Sequence, residues 1–274
     1  MAHVQDAPWE YDIAPFAVTD NVWYVGNAQV AVHLVDTGDG LLMLDTGWPS
    51  TLYLLLESIR TLGFDPADVR WILHSHGHID HFGGTRRLME KYGAKTYLGR
   101  YDLPLLRERR DLNCTDKYGC AAYADFPVDQ LVSDGEQLAF GSVTVTVREA
   151  PGHTPGTLGI FFPSTCHGRP VRVGMHGGVG VNTLASDYMR AHGVNWRAAY
   201  LASLERMMGE QVDVVLGNHP YQAHVLERLA SAERGRDPFL DPSWWNAFLS
   251  ERRQIYDALL EQDPVDDDAA RARD

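Results

Sequence analysis

The sequence predicts an α/β fold in which mixed β-sheet is covered by helices. Three observations predict it: short apolar segments punctuated by Gly, Asn and Asp near the start, fully apolar runs of five or six residues further on, and stretches of helical Leu or aromatic spacing between them. Residues 21–27 (NVWYVGN), 30–36 (VAVHLVD) and 40–45 (GLLMLD) read as a β-meander, with Asp39-Gly40 at a tight hairpin. Residues 51–62 carry Leu at helical spacing and stop at Gly63. VRWIL (69–73) is then apolar almost throughout, the pattern of a strand buried on both faces. A helix over 81–92, a strand over 95–98 and a helix around 101–109 follow, and residues 110–128, lacking periodicity, read as a long surface loop.

The second half repeats the rhythm. GSVTVTVREA (141–150) alternates strictly and puts Val143, Val145 and Val147 on one face. TLGIFF and RPVRVG add strands, and helices over 195–208 and 221–233 flank the buried strand VDVVLG (212–217). The last helix, 243–261, aligns Trp244, Phe248, Ile255 and Leu259 beside Trp245, Leu249, Tyr256 and Leu260. That stripe suits packing on the core and also offers a homodimer contact. Without a linker or repeat, residues 1–262 are expected to form one domain, and the charged segment 263–274 a disordered tail.

Composition narrows the function. With 24 Lys+Arg against 37 Asp+Glu, the net charge of −13 opposes binding to nucleic acid or an anionic membrane. No apolar run approaches the roughly 18 residues that span a bilayer. The first thirty residues show no export signal, so the expected compartment is the cytoplasm, or the periplasm or exterior if a leader was removed. Three Cys are too few for a disulfide framework, although Cys114 and Cys120 are close enough to pair in an exported chain. Against these stand 12 His.

Five of those histidines fall in patterned places. Directly after VRWIL the chain reads HSHGHIDH (74–81). Extended backbone would project His76, His78 and Asp80 to one side, with His81 breaking the period where a helix begins. Imidazole nitrogen and carboxylate oxygen suit Zn²⁺, and Fe or Mn as well, and the lack of nearby Cys argues against a structural thiolate site. His153 (PGHTPG) and His219 (GNHP) each follow another apolar strand, and Asp45 ends a fourth in DTG. Ligands gather at the carboxyl ends of strands, so these turns are expected to converge on one cleft, with Asp45 orienting a ligand from behind. Trp48, His176 and Tyr221 are candidate pocket walls. His3, His33, His74, His167 and His192 read as structural or surface residues.

On these motifs the chain resembles the metallo-β-lactamase superfamily over about Asn21 to His219, and within it the third subclass, through VWYVGN, LLMLDTGWP, HSHGHIDHFGG and PGHTPG. The resemblance implies a four-layer αββα sandwich of two mixed sheets flanked by helices, and a site for two Zn²⁺. It assigns His76, His78 and His153 to one ion and Asp80, His81 and His219 to the other. It further implies a hydrolase in which a metal-bridged hydroxide, oriented by Asp80, which can take up its proton, attacks the carbonyl of a β-lactam-type cyclic amide. A lactone, ester or thioester is the alternative substrate. Two cations less the bridging hydroxide and Asp80 leave about +2 in the cleft, which favours an anionic small molecule. Two departures stand out: GMHGGVG (174–180) has neither the bridging Asp common in related lactonases and thioesterases nor the serines that hold substrate in the third subclass.

Overall fold

The computed structural model describes residues 2–232 and 237–264. Seven strands form the first sheet in chain order: β1 (Phe16–Thr19), β2 (Val22–Tyr24), β3 (His33–Asp36), β4 (Leu41–Leu44), β5 (Val69–Leu73), β6 (Lys95–Gly99) and β7 (Gln130–Val132). The meander β1 to β4 is antiparallel, and β4 to β7 run parallel. The second sheet takes β8 (Gln137–Phe140), β9 (Val143–Glu149), β10 (Leu158–Cys166), β11 (Arg169–His176) and β12 (Val214–Gly217), ordered β12-β11-β10-β9-β8, with β11 and β12 parallel.

Apolar alternation explains how the sheets stack. Val35, Leu42, Leu44 and Leu73 share one core with Val143, Val145, Val147 and Ile160 of the other sheet. Their neighbours Leu34, Met43 and Ile72 pack outward on Leu55 and Ile59 of α2 (Leu52–Thr61) and Leu88 of α4 (Thr85–Tyr92). Both faces of this sheet are therefore buried, which is why its strands read as unbroken apolar runs. Over the second sheet, α7 (Arg197–Met207) and α9 (Trp244–Gln262) bury Tyr200, Leu204, Trp245, Phe248, Leu249 and Tyr256. Helix, sheet, sheet, helix is the expected four-layer sandwich. Most of the apolar stripe on α9 is consumed by its own core, leaving Ile255 as its one exposed large apolar side chain.

Several expectations are corrected. The helix read over 81–92 is two pieces, α3 (Ile79–Phe82) and α4, separated by Gly83-Gly84. Residues 110–128 form a loop that is anchored rather than wholly on the surface: Leu112, Asn113, Thr115, Cys120, Ala124 and Phe126 are buried, several packing with Trp48, Ile79 and Phe82 in a third cluster, while residues such as Arg110, Asp116, Lys117 and Asp125 are exposed. Polar turn chemistry hid this, because Asn113 supplies side-chain bonds to Leu105 and Thr115 in place of a periodic ladder. Cys114 and Cys120 are free thiols. The expected tail begins too early, since Asp263 accepts from the Ser186 amide and the Arg197 guanidinium, while 265–274 lie outside the described residues. Among the described residues no helix is long and apolar enough to cross a membrane.

Candidate metal centre

Three strand ends and one helix start bring the patterned residues together. His76 and His78 leave the end of β5, and their facing Nε2 and Nδ1 atoms lie 3.0 Å apart. His153, in the turn between β9 and β10, stands with its ring 4.7 Å from each of theirs. The chain turns helical at Ile79, so the extended alternation ends at His78, and Asp80 sides with His81 rather than with His76 and His78. His219, following β12, completes that second group. Its Nε2 is 3.3 Å from His81 Nε2, and Asp80 Oδ2 is 3.5 and 3.6 Å from those two nitrogens. Within each group the donor atoms all lie within 4.8 Å of one another, and the rings of His76 and His81 are 4.2 Å apart across the two.

The outer nitrogens are nearly all committed. His81 Nδ1 donates to Asp45 Oδ2 (2.8 Å), His153 Nδ1 to the Gly180 carbonyl (2.8 Å) and His219 Nδ1 to the Gln29 carbonyl (2.8 Å), while His76 Nδ1 meets Ser75 Oγ (3.0 Å). Each such bond fixes the tautomer and leaves the inward nitrogen as a lone pair. Asp45 also accepts from the Ser75 amide and hydroxyl, both at 2.7 Å. It does so with φ of 63°, a left-handed conformation that Asp tolerates better than most residues and that aims its carboxylate across the turn.

Electrostatics favour a cation here over protons. Burial holds His76 and His153 well below the ordinary imidazole pKa, with neighbouring imidazoles adding to it, and brings His78 down to about 4. His81 goes the other way: burial opposes its charge, but Asp80 and Asp45 outweigh it. Burial would raise Asp80, yet His81, His219 and His78 pull it below the ordinary carboxylate value. His76, His78 and His153, kept neutral by burial, crowd their nitrogens around one point out of water, where a lone pair without a partner is costly. A nitrogen- and oxygen-ligated metal ion satisfies them, so the donor set fits Zn²⁺ chemistry.

Sequence reading missed Asp102, just beyond β6. Fully buried, its carboxylate accepts from the Gly77 amide, the Thr154 hydroxyl and the Gly156 amide, all at 2.7 Å. It thereby ties the loop of His76 and His78 to the loop of His153. Gly156 is required by this closeness, since a Cβ there would lie 2.4 Å from Asp102 N, and Gly77 is tightly fitted, with a Cβ placed 3.1 Å from Asp102 Cβ. The signal was present, since Asp102 follows a parallel strand end as the histidines do.

The pocket candidates divide. Tyr221 is half exposed with its ring 5.3 Å from that of His219, at the mouth of the cleft. Trp48 is instead fully buried, its ring edge-on to Tyr118, and lines no open pocket. His176 is buried too. It shares a face of β11 with Gly174 and is paired with Gly159, where added side chains would meet Val212 and Met207, so it packs toward the helices over that sheet rather than into the cleft.

Comparison with known proteins agrees with this geometry. The metallo-beta-lactamase superfamily profile matches residues 25–165. BJP-1, a subclass B3 metallo-beta-lactamase of Bradyrhizobium japonicum, superposes with a TM-score of 0.80 at 26% identity, over 96% of this chain and 98% of that one. The Rm3 metallo-beta-lactamase is 30% identical, with a TM-score of 0.78, over 93% and 97% of the two chains. A hydroxyacylglutathione hydrolase of Anaeromyxobacter dehalogenans is 29% identical over 126 residues, 46% of this chain and 39% of that protein. The first curated relatives are matched over only 34% to 42% of their own length. Fold, histidine-bearing strand ends and sequence match together show that this chain belongs to the metallo-beta-lactamase superfamily.

Proposed function

We propose that this protein is a dinuclear zinc hydrolase that opens a β-lactam-type cyclic amide, with His76, His78 and His153 holding one ion and Asp80, His81 and His219 the other. The observation that carries the reading is the donor set: two adjacent buried triads of nitrogen and oxygen without sulfur, in a chain that aligns nearly end to end with a subclass B3 enzyme. Bound zinc would supply a Lewis acid for the carbonyl and an acidified water. Asp80 is the catalytic residue of this chain. Its Oδ2 sits between His81 and His219, where it orients the attacking water and takes up its proton. Asp45, through His81, and Asp102, through the two loops, keep the donors in place. Tyr221 borders the substrate, an anionic small molecule drawn by the bound cations.

A second reading, a lactone or thioester hydrolase, draws on the glycine loop after β11 and on the hydroxyacylglutathione hydrolase match. The loop is glycine for a steric reason, because a Cβ at Gly178 would lie 2.9 Å from the His153 ring. Purified protein assayed for bound metal, then against β-lactam, lactone and thioester panels, separates the two readings. The expected result is two zinc ions per chain and β-lactam turnover. Turnover of thioesters or lactones alone would replace the first reading with the second.

A further inference from the structure

We propose that Cys166, His167 and Asp237 form a separate peripheral site for a thiophilic divalent cation such as Zn²⁺, Co²⁺ or Cd²⁺. Among the described residues, three groups of His, Cys, Asp or Glu converge closely enough to share an ion. Two make up the cleft, and the third is this one, the only group with sulfur. Cys166 ends β10 and His167 opens the turn into β11, whereas the cleft lies at the other end of β10, where Leu158 bonds Ser75. At about 3.3 Å per residue, the two ends of this strand are some 25 Å apart.

Three features make the cluster a built one. Asp237 commits Oδ1 to the amides of Phe239 and Leu240 (2.8 and 3.1 Å), which leaves Oδ2 facing Cys166 Sγ at 2.9 Å and His167 Nε2 at 3.4 Å. Cys166 is buried, so its sulfur has a defined place. His167 is exposed, but its backbone is held at φ of 51° by Asp20, which accepts from the amides of His167 and Gly168 at 2.9 Å and from Thr165 Oγ at 2.7 Å. One thiol, one imidazole and one carboxylate, with the solvent side open to water, match a four-coordinate ion of zinc type.

Without an ion, the thiol proton mediates the sulfur–carboxylate contact. A cation would take the place of that proton, releasing it to solvent as the thiolate forms, and would clip the β10–β11 hairpin to the segment entering α9.

Cobalt(II) titration of the metal-free protein tests this, because sulfur-to-cobalt charge-transfer absorption arises only where a cysteine ligates and the six cleft donors contain none. A third equivalent carrying that band is expected, together with unchanged binding and turnover at the cleft when Cys166→Ser abolishes it. His167→Ala, at an exposed turn, should keep the fold and weaken the third equivalent by about tenfold or more. Cys114→Ser should leave the band intact. No band at saturating cobalt, or a band that survives Cys166→Ser, would overturn the proposal whatever the cleft hydrolyses.

Discussion

The two halves of the cleft are positioned by different means. Around His76, His78 and His153 a buried carboxylate anchors the loops: Asp102 accepts from the Gly77 and Gly156 amides and the Thr154 hydroxyl and bonds none of the three imidazoles. Around Asp80, His81 and His219 a carboxylate acts on a ligand side chain directly: Asp45 accepts from the His81 ring itself and reaches the first half only through the Ser75 hydroxyl, which meets His76 Nδ1. The first half is uncharged but for its distant anchor, while the second carries carboxylates on both sides of His81. A carboxylate on a ring sets that ligand's basicity as well as its orientation, whereas a carboxylate on the backbone sets geometry alone. Under the proposed function, this asymmetry would leave Asp80, the residue that handles a proton, in the half whose ligand basicity is set by a carboxylate.

The largest expected effect comes from removing a donor. His153→Ala should lower metal content from two ions to one and cut kcat/KM by about a thousandfold or more, beyond the roughly 10- to 100-fold typical of a partner behind the ligand. Metal analysis and turnover by the same preparation check it, and unchanged activity would remove His153 from the first half.

Asp45→Asn comes next, with about a 10- to 100-fold loss in affinity for the ion beside His81 and a smaller loss for the other. If both ions weaken equally in competition with a chelator, the side-chain mode is not confined to the second half.

Asp102→Asn should loosen the first half instead, and it carries a pH signature. Burial raises the Asp102 carboxyl from 3.8 to about 6, against the pull of its three hydrogen bonds. A group whose folded pKa stands above its unfolded value binds its proton more tightly when folded, so its contribution to stability declines as pH rises through that window and is level above it. Denaturant melts of the metal-free protein should therefore show wild-type stability falling between 3.8 and about 6 relative to Asp102→Asn. Parallel curves would show that Asp102 titrates elsewhere.

The smallest effect is expected at the cover over the cleft. Asp111 accepts from Arg109 and from His192 Nδ1, joining the 110–128 loop to α6 (Ser186–His192). These groups are partly exposed, so Asp111→Ala should cost less than about 1 kcal/mol, with a dependence on salt, and leave both halves of the metal centre intact.

Much of the site was legible because its logic is local. HSHGHIDH after an apolar strand declares its ligand types, and Gly-flanked histidines after two later strands declare where the others are. Asp102 escaped because nothing within ten residues of it is a candidate ligand, and its partners are 25 to 54 positions away. Trp48 and His176 misled for a related reason: closeness in sequence to a motif does not say which face of a turn or strand a side chain takes. His176 follows Met175 into the end of β11, and strand alternation there turns it toward the helices.

By itself, then, the sequence determined the chemistry available: imidazole and carboxylate donors without sulfur at the ends of buried strands, in an acidic α/β chain whose four layers the family resemblance implied. Spacing of one to three residues fixes backbone geometry tightly enough for that. The family resemblance supplied the division of six donors into two triads; only the tertiary structure decided which carboxylates anchor them and which residues of the 110–128 segment are buried beside the site. Those relations join residues tens to more than a hundred positions apart. Their distances are set by how two sheets pack across a shared core, which no local pattern specifies.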